Sequence, residues 1–134
     1  MGRFQKPLLE QIDFSKKLKI LDLSCGTGEF LSKLAKRDTE NNIELFGLDM
    51  AAKMLHKAQE KLPPRVKLLL GDVHQLPFKD NFFDYVISTE AFHHYYDQKK
   101  ALREMVRVSR EEVIVVDIDF FLPRIHYLFE KLEP

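Results

Sequence analysis

Cysteine is almost missing from these 134 residues, Cys25 standing alone. A single thiol excludes an internal disulfide and fits a reducing compartment. Net charge is missing too, because 21 Lys and Arg are balanced by 21 Asp and Glu. Nothing global draws a polyanion, and no local basic patch stands out for nucleic acid. No apolar run approaches the roughly 20 residues that a membrane-spanning helix needs. The N-terminal residues lack a signal-peptide h-region. Met1-Gly2 opens like a myristoylation site, but Lys6 stands where Ser or Thr is required. Cytoplasm is therefore the expected compartment. What is present is ordinary for a folded core: 45% hydrophobic and 31% charged residues, with no repeat or low-complexity tract. A chain near this size buries roughly two-thirds of its unfolded surface, so residues 1–134 are expected to form one domain.

Short apolar runs alternate with longer segments of helical period, the pattern of an α/β chain with a parallel sheet. The runs are Leu18 to Leu23, Glu44 to Leu48, Val66 to Leu70, Asp84 to Ser88 and Glu112 to Ile118. They are near-continuous in Ile, Leu and Val, as strands covered on both faces are. Between them, Glu29 to Lys36 puts Phe30, Leu31 and Leu34 on one stripe, and Ala51 to Leu62 does so with Met54, Leu55, Ala58 and Leu62. Pro63-Pro64 stops the second helix. Asp97 is placed to cap a third, with Ala101, Leu102, Met105 and Val106 inward. His74 to Phe83 is too short for a long helix, and Pro123 to Leu132 reads as a short amphipathic one. The fold class is thus α/β, a doubly wound, Rossmann-like, mainly parallel sheet of five strands. Such sheets bind ligands beyond the C-terminal ends of their strands, where strand order reverses.

The first strand ends in Ser24-Cys25-Gly26-Thr27-Gly28 and a helix follows at once. Gly26 and Gly28 let backbone approach a ligand or take positive φ, and the helix start offers unpaired N–H groups. A dinucleotide would suit that much. However, its G-x-G-x-x-G/A fingerprint needs a small residue at position 31, which is Leu31. Carboxylates also flank the turn, Asp22 before it and Glu29 after it. They repel a pyrophosphate and attract a ligand carrying sulfonium and ammonium groups, which favours S-adenosylmethionine (SAM) over NAD. Asp49 ends the second strand about 20 residues past the glycines, the spacing of a ribose-binding carboxylate; capping the next helix is its alternative role. After the third strand, Asp72 can accept from an adenine amino group, and the Val73 backbone can read a ring nitrogen.

At this point the chain resembles the class I SAM-dependent methyltransferase superfamily, particularly its ubiquinone/menaquinone-biosynthesis branch acting on small molecules. The resemblance rests on Ile20-Leu-Asp-Leu-Ser-Cys-Gly-Thr-Gly28, Gly47-Leu-Asp49-Met50, Gly71-Asp72-Val73 with Leu76-Pro-Phe78, Phe83-Asp84, and Ala91-Phe-His-His94. It implies that Gly26 and Gly28 line the methionine and ribose portion, that Asp49 holds the ribose and Met50 packs on adenine, and that Asp72 and Val73 read the adenine edge. Asp22, Ser24, Cys25 and Thr89 complete the expected cofactor set, with S-adenosylhomocysteine (SAH) as product and no metal. Ser24 departs from the family, which commonly has another glycine there. Val108-Ser-Arg-Glu-Glu-Val113 lacks the family's Pro-Gly-Gly turn. The usual antiparallel hairpin after the fifth strand is expected to be absent, leaving Val113 to Val116 as an edge open to a second copy or partner chain, with cover by the short C-terminal helix as the alternative.

His93 and His94 follow the fourth strand at the ligand-binding end and titrate naturally near neutrality, so either is a candidate base toward a small-molecule acceptor. Ordinary loop residues is the alternative reading of both, and Tyr95 and Tyr96 are read as packing over the pocket. Asp117 and Asp119 are further candidates. Asp84 lies at the wrong end of its strand for the crevice and is read as structural. Cys25 is read as a small buried neighbour of the ligand, with no context for a nucleophile. The expected function is methyl transfer by in-line displacement. A catalytically idle SAM-binding or interaction subunit is the competing one.

Overall fold

The computed structural model describes residues 9–89, 91–116 and 127–130. Five strands run parallel in it: β1 (Leu18–Leu23), β2 (Ile43–Asp49), β3 (Lys67–Leu70), β4 (Phe83–Thr89) and β5 (Ser109–Val116). The helices are α1 (Glu29–Arg37), α2 (Ala52–Lys61) and α3 (Gln98–Val108). With a sixth strand, β6 (Tyr127–Glu130), the order across the sheet is β3-β2-β1-β4-β5-β6. Strand order therefore reverses between β1 and β4, and the crevice opens there.

Both faces of the sheet are covered, as the unbroken apolar runs require. Ile20, Ile43, Leu45, Ile87 and Ile114 pack on Phe30, Leu31 and Leu34 of α1 and on Ala58 of α2. Leu21, Leu23, Phe46, Leu48, Val86, Val113 and Val115 pack on Ala101, Met105 and Val108 of α3 on the other side. Alternate residues of each strand serve opposite layers, as the period of two demands. Each fully buried aliphatic or aromatic side chain here contributes roughly 1.5–3 kcal/mol. Met54 is a correction to the predicted α2 stripe: it is exposed, while Leu55, Ala58 and Leu62 pack against the core.

The sheet edge beyond β5 differs from expectation. Tyr127–Glu130 pairs antiparallel with β5, from Glu112↔Glu130 to Val115↔Tyr127. The helix read over Pro123 to Leu132 and the open β5 edge are both overturned within the described residues. An unpaired β5 would leave its outward N–H and C=O groups without backbone partners, and Tyr-Leu-Phe is a run with strand propensity that satisfies them. The missing Pro-Gly-Gly turn is also explained. α3 ends at Val108 and β5 starts at Ser109 without a loop, helped by a hydrogen bond from Ser109 Oγ to the Val106 carbonyl (3.0 Å). A register irregularity between Phe83 and Tyr85 absorbs the abrupt junction.

Candidate functional site

The turn after β1 brings backbone rather than side chains to the crevice. Ser24 and Gly26 both take φ of 57° and Gly28 takes 83°. A Cβ built on Gly26 meets nothing within 4 Å, so this glycine faces open space. One on Gly28 would stand 2.8 Å from Leu62 Cδ1 and 3.2 Å from Ala58 Cβ. Gly28 thus serves the approach of α1 to α2, while Gly26 alone leaves room for a ligand. Gly47 of β2 has a related duty: its Cβ would lie 2.6 Å from Leu31 Cδ1 and 2.9 Å from Cys25 Sγ. Leu31 fits where a dinucleotide fold has a small residue because Gly47, in the strand beneath it, carries no side chain. Leu31 therefore reports on packing and not on the ligand, and the acidic surroundings are left to discriminate.

Those surroundings are close together. Asp22 is buried, and its Oδ1 finds no hydrogen-bond partner among the described residues. Burial, and then the nearby Asp49 carboxylate, push Asp22 well above the usual carboxylate range. Asp49 accepts from the Gly26 N–H at Oδ2 (2.8 Å) and from the Ala51 N–H at Oδ1 (2.9 Å). It braces the glycine turn and the entry to α2, and each oxygen retains a further lone pair. It is not the cap of α2, a position held by Ala51 without a side-chain bond. Met50 is 74% exposed and Leu70, at the end of β3, is 61% exposed. Large apolar side chains bared at two adjacent strand ends suit a flat ring laid between them. The Val73 side chain is in the core, so only its backbone can face a ligand.

Cys25 is buried, and burial, then Asp22 and Asp49, drive its thiol far above the ordinary range. It stays protonated and unreactive. Thr89 closes β4 half-buried beside the crevice. His93 and His94 lie on a short 3-10 turn, Phe92–His94, both exposed, with rings 3.8 Å apart. Asp117 and Asp119 lie outside the described residues. Asp84 sits at the far end of the sheet, accepting from the Lys19 N–H (2.8 Å) and facing Arg110 (3.6 Å).

Two features of the site escaped sequence reasoning, the hydrogen bonds of Tyr95 and the place of His74. Tyr95 is largely buried, and its hydroxyl bonds both Ser24 Oγ (2.9 Å) and Ser88 Oγ (3.0 Å), joining the ends of β1 and β4. Burial raises its phenol pKa against the pull of those two bonds. His74 is buried beside Asp72. Its backbone N–H (2.9 Å) and its Nδ1 (2.6 Å) both meet Asp72 Oδ1, and Tyr96 Oη donates to Oδ2 (3.3 Å). The backbone bond, then the imidazole bond, hold the Asp72 carboxyl below its usual range. Nothing in the hydrophobic period marks either residue; only the topology brings them to the crevice.

Residues 21–116 match the family model described as a methyltransferase domain. The chain belongs to that family. A demethylmenaquinone methyltransferase of Thermotoga maritima is 33% identical over 121 residues, 90% of this chain and 52% of that protein. The chain spans about half the length of the curated relatives it matches. A chain from the complex between the Haloferax volcanii Trm112 methyltransferase activator and a methyltransferase superposes with a TM-score of 0.74. It is 29% identical, and the match covers 87% of this chain and 53% of that one. A SAM-dependent methyltransferase from Aquifex aeolicus, 22% identical, shares the fold with a TM-score of 0.74, over 85% of this chain and 63% of that one. The cofactor of this methyltransferase domain is SAM. The residues present fit it: an unpartnered carboxylate oxygen buried behind the turn, open space above Gly26, and free lone pairs on Asp49. No helix among the described residues is long and apolar enough to cross a membrane.

Proposed function

We propose that this chain is one SAM-binding domain that transfers a methyl group to a small-molecule acceptor, of the kind that its demethylmenaquinone methyltransferase relatives are named for. The observation that carries the reading is the convergence of Asp22, Asp49 and Asp72 at the C-terminal ends of three neighbouring strands, with Asp22 Oδ1 buried and unpartnered. A buried carboxylate without a donor is costly, and a cationic ligand gives it a partner. In this reading Asp22 faces the charged methionine end, with Ser24, Cys25, Gly26, Gly28 and Thr89 around it. Asp49 takes the ribose hydroxyls, Met50 lies on the base, and Asp72 and Val73 read its edge. Bound SAM supplies a methyl group on positively charged sulfur, already activated for displacement. What the chain adds is orientation, which supplies up to about 7–11 kcal/mol of a barrier of this type.

His93 or His94 takes the acceptor proton where the acceptor needs a base; their exposure at the crevice rim supports contact with a molecule arriving from solvent. A reducing cytoplasm is the proposed location, and no nucleic-acid partner is proposed. The test is methyl transfer from labelled SAM to a demethylmenaquinone. Labelled product is expected, and absence of both product and SAH binding overturns the reading.

A second reading, a SAM-binding subunit that needs a partner, draws support from the activator complex among its structural neighbours. It is favoured if the chain binds SAH but turns over only when another protein is added. β6 now covers the β5 edge, so assembly through that edge is not proposed.

A further inference from the structure

His74 is held from both sides. The Asp97 N–H donates to its Nε2 (3.2 Å), so Nε2 is an acceptor and the ring proton lies on Nδ1, facing Asp72 Oδ1 at 2.6 Å. Asp97 is itself a fixed point, because its side chain caps α3 by accepting from the Lys100 N–H (3.1 Å). The Tyr96 ring stacks on the imidazole at 3.7 Å and 26°. Asp72 Oδ1 therefore receives two donors, the backbone N–H and Nδ1–H of His74, which fills its two lone-pair directions. Oδ2 receives the Tyr96 hydroxyl and keeps one direction free.

We propose that His74 is a positioning residue that fixes the Asp72 carboxylate so that its free Oδ2 direction reads the purine edge, and that His74 thereby sets the preference for a 6-amino over a 6-oxo purine. The inference rests on the assignment of Asp72 to the base made above. A carboxylate locked as an acceptor welcomes the amino group of adenine. It faces the carbonyl oxygen of a 6-oxo purine as acceptor against acceptor, and the pair is unfavourable. Without the Nδ1–H anchor the carboxylate keeps only the His74 backbone N–H and the long bond from the exposed Tyr96 hydroxyl, its orientation loosens and the discrimination weakens. His74 touches no ligand in this arrangement and acts only through Asp72.

The test is isothermal titration of the full chain with SAH and with S-inosylhomocysteine, its 6-oxo counterpart. Wild type is expected to prefer SAH by about tenfold or more, the scale of one hydrogen bond to a charged group. His74→Ala is expected to bring the two affinities within about threefold, through loss on the SAH side, and His74→Asn, which keeps an N–H near the Nδ1 position, to retain most of the preference. Should His74→Ala fail to fold by circular dichroism, His74→Gln replaces it, since its N–H sits at the Nε2 position, and the same loss is expected. Equal weakening toward both ligands, or an unchanged preference in these variants, overturns the proposal, as does a wild type without preference. Asp72→Asn separates the two levels. If it keeps the preference, the assignment of Asp72 falls and this inference with it. If it abolishes the preference and the His74 variants do not, this inference alone falls.

Discussion

The hydroxyl of Tyr95 stands 2.9 Å from that of Ser24, a bond that spans 71 residues of sequence and ties the segment after β4 to the turn after β1. Ser24 occupies a left-handed conformation that commonly falls to glycine, and its side chain has this use there. Tyr95→Phe is expected to cost about 1–3 kcal/mol of stability, because the hydroxyl's bonds to both Ser24 and the buried Ser88 are lost. Ser24→Gly relieves the backbone and loses the bond to Tyr95, so it is expected to fall within about 1 kcal/mol of wild type. In a double-mutant cycle by denaturant unfolding, additive effects would contradict the coupling.

The two glycines of the turn are not equivalent. Gly28→Ala drives a methyl into Leu62 and is expected to lower stability by about 1–3 kcal/mol. Gly26→Ala meets no atom within 4 Å and bears only the cost of its positive φ, roughly 1 kcal/mol. Its main effect falls on SAH affinity, because the new methyl enters the ligand's space. Thermal unfolding together with titration separates the two. Equal stability losses with equal affinities would contradict the assignment.

Asp22 predicts a trade between stability and binding. Its proton is held more tightly in the fold than in the unfolded chain, so stability falls as pH rises above the ordinary carboxylate value of 3.8. Asp22→Asn removes that penalty and is expected to raise the melting temperature at pH 7 by roughly 3–6 °C, about 1 kcal/mol for a chain of this size. The same change removes the negative partner of a cationic ligand. SAM and SAH both carry an ammonium group, so wild-type affinity for either is expected to rise with pH as Asp22 ionises, and the variant's profile is expected to be flatter. A variant less stable than wild type at pH 7 would count against the account.

Cys25 predicts chemical silence. With its thiol buried and its ionisation suppressed, a disulfide reagent at pH 8 is expected to modify it only on the timescale of unfolding. Reaction as fast as that of a free thiol would contradict its placement.

Much of this fold is legible in one sequence because its strands are buried on both faces. Runs such as Leu18 to Leu23 have no competing period, and helix stripes such as Phe30, Leu31 and Leu34 fall where predicted. The carboxylates were legible because each lies at or just past the C-terminal end of a strand, so finding the strand finds the residue. What was not legible depends on contacts between distant segments. Tyr127–Glu130 has no helix or strand signature strong enough alone, and the open edge of β5 decides it. Leu31 was misread as a statement about ligand, because its partner Gly47 sits in another strand. His74 looks like a loop residue until the topology lays it on Asp72, and Tyr95, read only as packing over the pocket, gains its bond to Ser24 from the same topology.

The most direct test of the account is the affinity of the full chain for SAH, compared between wild type and Asp49→Ala by isothermal titration. One site is expected in wild type. In the variant a weakening of about 10- to 100-fold is expected, since hydrogen bonds from the ribose to a charged acceptor are lost. Absence of SAH binding in wild type, or unchanged affinity in a folded Asp49→Ala, would contradict it.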